Sequence, residues 1–297
     1  MREGTAPFRE FSTRYWVAGD LPADPRGPAP LVALHGGPGA THDYLLSLLD
    51  LADSGRAVVL YDQLGSGGST HLPGRGADFW TVELFKEQLA ALLFELGLGE
   101  RYHLLGQSWG GFLAQEHALT RPRGLVSLIL SNTAASFPDF VAAANRLRAE
   151  LPPEVEATLR RHEADETTND PEYLAACQVF YQRHLCRLDP WPEEVTRSFA
   201  LMDEDPTVYH TMNGPSEFHV VGSIREWESK SRLGGIVTPT LLLSGRYDEA
   251  TPELQETLLA GIAGSRLHIF ESSSHMPFWE QRPEYMAVVR EWLSERD

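Results

Sequence analysis

The chain has 297 residues, 42% hydrophobic and 23% charged, the profile of a globular protein with room for a sizeable core. Its 25 Lys and Arg against 42 Asp and Glu give a formal charge of −17, a balance that argues against nucleic acid and anionic membranes as partners. Lysine is confined to Lys86 and Lys230 and cysteine to Cys177 and Cys186, too sparse for a disulfide framework. No apolar run approaches the ~18 residues of a membrane span, and residues 1–20 lack the apolar core of a signal peptide, so a cytoplasmic protein is expected.

In chain order, short β-rich apolar runs ending in glycine or polar clusters predict strands at 31–34, 57–61, 102–105, 125–130, 239–244 and 266–270. Such runs suit strands buried on both faces of a mostly parallel sheet. Helical patterns lie between several of them. The segment 79–96 carries apolar Val82, Leu84, Phe85, Leu89, Leu92, Leu93 and Leu96, and 110–120, 252–263 and 283–293 are similar. Alternating strands and helices imply an α/β protein with helices on both faces of the sheet. From 136 to 233 the rhythm stops. That stretch holds no convincing buried strand and reads as helices separated by Pro152-Pro153, Asp170-Pro171, Asp189-Pro190 and Asp205-Pro206. The strand pattern resumes at Pro239 as if uninterrupted. The expected plan is a core of residues 1–135 and 234–297 with a helical lid, 136–233, inserted before the strand that carries the catalytic acid.

Gly106-Gln107-Ser108-Trp109-Gly110 matches G-x-S-x-G, and it follows a predicted strand and opens a predicted helix. That is the setting of a nucleophile elbow, in which a strained serine is presented at the N-terminus of a helix. His35-Gly36-Gly37-Pro38-Gly39 directly follows the first predicted strand. A loop there can supply one backbone N–H to an oxyanion hole while the residue after the nucleophile supplies the other. Gly37 and Trp109 are the candidates, and His35 itself is read as structural. Asp248 and His275 each lie just beyond the carboxyl end of a predicted strand, where α/β sheets build their sites. The chain order Ser108, Asp248, His275 is the order used by the α/β-hydrolase fold, with His275 as general base and Asp248 orienting it.

Other chemistry fails on spacing. Gly65-Ser66-Gly67-Gly68 lacks the third glycine of a dinucleotide loop, there is no Walker lysine, His162-Glu163 does not complete H-E-x-x-H, and no Cys/His cluster has zinc spacing. No cofactor or metal is expected. A serine at the elbow also argues against the epoxide hydrolases and dehalogenases of this fold, which use aspartate there.

Taken together, His35-Gly36-Gly37-Pro38-Gly39, Tyr61-Asp62-Gln63 with Gly65, Gly106-Gln107-Ser108-Trp109-Gly110-Gly111 and Gly245-Arg246-Tyr247-Asp248-Glu249 resemble the proline iminopeptidases, a family that includes the tricorn-interacting aminopeptidase and L-amino acid amidases. Phe180-Tyr181-Gln182-Arg183-His184-Leu185 and Met212-Asn213-Gly214-Pro215-Ser216-Glu217-Phe218 extend the resemblance into the lid, and it runs from about Phe11 to the C-terminus. The resemblance implies cleavage after an unblocked N-terminal residue of a small peptide or amino acid amide. It also implies that Glu217 and Glu249, with Tyr209 nearby, hold the substrate's α-ammonium. Leu64 stands where many proline iminopeptidases carry Arg, which weakens a strict proline preference. The competing reading is an esterase or pathway-specific acyl hydrolase that keeps the triad for another substrate.

Overall fold

In the computed structural model, which describes residues 1–21 and 27–297, eight strands form one sheet. They are β1 (Arg2–Phe8), β2 (Phe11–Ala18), β3 (Leu31–Leu34), β4 (Val58–Tyr61), β5 (Tyr102–Gln107), β6 (Leu125–Ser131), β7 (Thr240–Gly245) and β8 (Arg266–Phe270), in the spatial order β1-β2-β4-β3-β5-β6-β7-β8. The six strands expected from the sequence pair parallel. The hairpin β1–β2 is an addition to that expectation; it pairs antiparallel with the free edge of β4. Only Ala6 and Phe8 of β1 and Thr13 and Val17 of β2 are buried, so the hairpin never shows the apolar run of a two-faced strand.

Alternation along β3 shows why the central strands are apolar throughout. Val32 and Leu34 enter one core, Leu31 and Ala33 the other. Helices α1 (Val82–Glu95), α2 (Trp109–Leu119) and α8 (Pro252–Gly261) contribute to the first core. A 3-10 segment (His42–Ser54), α9 (Pro277–Glu280) and α10 (Arg282–Ser294) contribute to the second. Helix α1 starts where Thr81 Oγ1 accepts the Leu84 N–H at 3.2 Å, a cap worth about 1 kcal/mol. It then buries Leu84, Phe85, Gln88, Leu89, Leu92 and Leu93 on one face.

Between β6 and β7 the chain forms α3 (Phe137–Arg148), α4 (Pro153–Ala164), α5 (Pro171–His184), α6 (Glu193–Glu204) and α7 (Thr207–Met212). Prolines in the first turns of α4 and α5 start helices there, since the missing N–H needs no partner in a first turn. The insert has a small core of its own around Leu159, Tyr173, Cys177, Phe180 and Phe218. Beside it, buried Arg148 donates to Glu156 at 2.6 Å and Glu163 at 2.7 Å. Several attachments bind the insert to the body, among them contacts of α6 and α7. On α6, Arg197 donates to Asp43 at 2.6 Å, and Ser198 Oγ accepts the Thr41 N–H at 3.1 Å. On α7, Val208 packs so closely on Gly65 that a Cβ there would stand 2.4 Å from its Cγ2.

Strand register brings the carboxyl ends of the central strands level. Leu34 pairs with Gly106, Gln107 with Ser131, Ser131 with Leu243, and Gly245 with Phe270. The loops that leave these ends carry Gly37, Ser108, Asn132, Asp248 and His275, and so open onto one place. Among the described residues no helix is long and apolar enough to cross a membrane.

Candidate active site

Ser108 sits between β5 and α2 with φ 55° and ψ −125°, a backbone conformation costly for any residue with a Cβ. The flanking glycines make the turn sterically feasible. A Cβ on Gly106 would lie 2.2 Å from the Gly110 carbonyl oxygen, and one on Gly110 would lie 2.3 Å from that of Leu34. The Ser108 N–H donates to the Ser131 carbonyl at 3.0 Å, and Thr133 Oγ1 donates to the Ser108 carbonyl at 2.9 Å. Helix α2 starts at Trp109, so the Trp109 N–H belongs to the first turn and has no acceptor within its own helix.

Asp248 is buried and well satisfied. Its Oδ1 accepts from His275 Nδ1 at 2.6 Å and from the Ala250 N–H at 2.8 Å; its Oδ2 accepts from Asn132 Nδ2 at 2.7 Å and, more weakly, from Ser244 Oγ at 3.4 Å. With Nδ1 donating to Asp248, His275 is held in the tautomer whose Nε2 is free to take a proton. Ser108 and His275 line the same cavity, together with Gly37, Tyr209, Glu217 and Glu249. Leu185, Phe199 and Met202 of the insert close the cavity from the other side.

The His35 loop is fixed from behind. His35 Nε2 accepts the Gln63 N–H at 2.9 Å, which leaves Nδ1 to donate to the Gly36 carbonyl at 3.0 Å. Gln63 in turn donates to the His35 carbonyl at 2.8 Å and accepts from Trp109 Nε1 at 2.9 Å. Burial lowers the His35 pKa to about 4, as suits a neutral structural ring. Gly37 takes φ +106°, and it shares a small cleft with Ser108 and Trp109.

Glu217 and Glu249 meet in this cavity from different parts of the chain, one from the insert and one from the loop after β7. Tyr209 donates its hydroxyl to Glu217 Oε1 at 2.6 Å. Glu249 is fully buried, and among the described residues neither of its carboxylate oxygens has a hydrogen-bond partner. Its Oε1 lies 3.6 Å from His275 Nε2. Burial pushes both carboxyls up, Glu249 well above the usual range, with the neighbouring Glu217 and Asp248 charges adding to the shift. Buried Glu249, without a hydrogen-bond partner among the described residues, thus stands on one cavity with half-buried Glu217.

Residues 29–281 match the family model for the alpha/beta hydrolase fold. A proline iminopeptidase of Saccharolobus solfataricus is 40% identical over 265 residues, 89% of this chain and 84% of that protein. The chain belongs to the proline iminopeptidase family of α/β-hydrolases. Among solved structures, a proline iminopeptidase of Mycobacterium smegmatis superposes with a TM-score of 0.91 at 45% identity, covering 99% of this chain and 98% of that one. The crystal structure of VinJ superposes with a TM-score of 0.97 at 47% identity, covering 100% and 99%.

The structure thus gathers all eight residues singled out from the sequence around Ser108 in this α/β-hydrolase. Two others at the site were not singled out. Asn132 follows β6 with φ 54° and donates to Asp248; a polar residue just beyond a central strand was the available signal. Tyr44 lines the cavity from the 3-10 segment, where no strand end or motif marks it. Away from the cavity, His162, Asp170 and Glu172 bring one ligand atom each within 4.8 Å. These side chains already serve protein partners: Arg161 donates to Glu172 at 2.6 Å, His162 Nδ1 bonds Thr167 at 2.7 Å, and Asp170 Oδ1 accepts the Glu172 N–H at 2.8 Å.

Proposed function

We propose that the protein is a serine aminopeptidase or amidase that hydrolyses the amide bond after an unblocked N-terminal residue. Residues 136–233 serve as the lid that completes the site. Ser108 Oγ attacks the scissile carbonyl carbon as its proton passes to His275 Nε2. The Gly37 and Trp109 N–H groups stabilise the resulting oxyanion. As the C–N bond breaks, His275 returns the proton to the leaving amine. A water activated by His275 then cleaves the Ser108 ester, releasing the amino acid and restoring the hydroxyl. Asp248 orients His275 throughout.

The observation that carries the substrate assignment is Glu249, a buried carboxylate without a hydrogen-bond partner beside Glu217 and on the cavity of Ser108. An α-ammonium fits there, whereas an acylated nitrogen would bring bulk and no charge. The relatives' activity as proline iminopeptidases supports the same reading. The test compares kcat/KM for aminoacyl p-nitroanilides with free and N-acetylated α-nitrogen. The free amine is expected to be preferred by roughly 30-fold or more, the value of one desolvated charge pair. Equal turnover of both substrates would sink ammonium recognition and favour a general acyl hydrolase.

A further inference from the structure

We propose that Tyr44 is a positioning residue for acyl transfer, locking the oxyanion loop, the nucleophile elbow and the loop of the base into one arrangement. The inference rests on the assignment of Ser108, Gly37 and His275 above. The Tyr44 hydroxyl accepts the Gly36 N–H at 2.6 Å and donates its own proton to Gln107 Oε1 at 2.5 Å. The Gln107 amide then donates from Nε2 to the His275 carbonyl at 3.2 Å. Every donor in this chain meets an acceptor, and the direction is forced. Gly36 N–H can only donate and the His275 carbonyl can only accept, so the phenol and the amide each have one orientation that satisfies both neighbours.

The three segments tied together are those that must hold sub-ångström alignment. Gly36 adjoins Gly37 and lies against the nucleophile, since a Cβ there would stand 2.8 Å from Ser108 Cβ. Gln107 immediately precedes Ser108. Tyr44 is itself anchored at its other end, because its carbonyl accepts from Trp279 Nε1 at 2.7 Å, two residues into the helix that follows the base loop. Its ring packs on Phe278 with centroids 6.0 Å apart and is 3% exposed. Burial raises the phenol's pKa, so the group remains a hydroxyl able to donate and accept at once. Without the hydroxyl, the Gly36 N–H and Gln107 Oε1 would both be buried and unpaired. The oxyanion loop could then turn against the elbow, and fixed donors are worth most where they need no reorganisation.

Tyr44→Phe keeps the ring and its packing and removes only the link. Expected is a fall in kcat of roughly 10- to 100-fold on both an aminoacyl anilide and a small neutral ester, with the aminoacyl KM changed by less than about threefold. A role confined to stability would lower the melting temperature and leave kcat per folded molecule unchanged. Gln107→Met breaks the same link from the other side and carries the same expectation should Tyr44→Phe fold poorly. The double variant should be little worse than the worse single one, because both substitutions cut one connection. Wild-type kcat in Tyr44→Phe, a loss confined to aminoacyl KM, or fully additive losses would each overturn the proposal. Ser108→Ala is run alongside. An active Ser108→Ala protein would refute the site assignment itself, whereas an inactive one beside a fully active Tyr44→Phe would refute only the positioning role.

Discussion

Asp248 and Glu249 are neighbours in sequence, equally buried, and opposite in their surroundings. Asp248 has four donors arranged around it, from His275, Ala250, Asn132 and Ser244. Among the described residues Glu249 has no hydrogen-bond partner on either oxygen, and the ring of His275 lies 3.6 Å away. The difference separates two kinds of preparation. Asp248, the proposed catalytic acid, is satisfied before substrate arrives, so the proposed triad costs nothing to assemble at the moment of reaction. The proposed ammonium site is left unsatisfied, so folding carries a desolvation penalty that a bound cation would offset.

The largest expected effect tests the satisfied half. Ser108→Ala should lose activity by about 10³-fold or more on aminoacyl and neutral ester substrates alike, with labelling by a serine-reactive phosphonate abolished. Labelling of the variant at the wild-type rate would move the nucleophile elsewhere.

The next tests the unsatisfied half, and it has two signs. Glu249→Gln should reduce kcat/KM for a free aminoacyl anilide by roughly 30- to 1000-fold and spare a small neutral ester. The same substitution should raise the melting temperature of the free protein at neutral pH by roughly 2–4 °C, since it removes a buried ionisable group that lacks a partner. The pH dependence follows from the direction of the shift. The folded Glu249 carboxyl titrates above its unfolded value, so the folded protein binds the proton more tightly. Wild-type stability should therefore decline as pH rises from the unfolded carboxyl range, about 4.3, through the raised folded value. Glu249→Gln should flatten that limb. A variant less stable than wild type at neutral pH would show that the carboxylate already has compensation in the free protein.

A smaller effect is expected at the boundary between the two halves. Asn132→Gly removes one donor to Asp248 while allowing the left-handed backbone found there, φ 54°. One lost hydrogen bond to a charged group should lower kcat about 10-fold and leave the preference for a free α-amine unchanged. A change in that preference would mean the two sites are not separable.

The smallest concerns the attachment of α7, which carries Tyr209. His71 bridges Asp205 at 2.6 Å through Nδ1 and the Gly67 carbonyl at 2.9 Å through Nε2. Both partners only accept, so the bridge is complete only in the imidazolium form. Desolvation works against the charge, yet the bonds to Asp205 and Gly67 and the charges of Asp205 and Asp62 raise the His71 pKa. A raised folded pKa gives stability that is fully present below the unfolded value and is lost as pH rises through the folded one. The ring is partly exposed and screened, so the melting difference between wild type and His71→Asn should be only of the order of 1 °C in acid, and should vanish on the alkaline side. A difference independent of pH would show that the contact is packing alone.

The central sheet and the elbow were legible in the sequence because their signals are local. A strand buried on both faces must be apolar throughout, as Leu31, Val32, Ala33 and Leu34 are, and a tight elbow must have glycine where backbone meets backbone, as at Gly106 and Gly110. Parallel strands present their carboxyl ends on one side, which brings Ser108, Asp248 and His275 together, and their chain order is the one that the resemblance to the α/β-hydrolase fold implies. The hairpin β1–β2 gave no such signal, because a strand with few buried side chains needs no apolar run. Tyr44 could not be found either: its partners Gly36, Gln107 and Trp279 are 8, 63 and 235 residues away, and nothing in the residues around Tyr44 records that its hydroxyl lands between two loops. The pairing of Glu217 with Glu249 came to the sequence reading only through family resemblance. What supports the proposed cation site is that Glu249 is buried on a cavity also lined by residues of the insert and has no hydrogen-bond partner among the described residues, and only the tertiary structure decides which of two adjacent acidic side chains is satisfied and which is not.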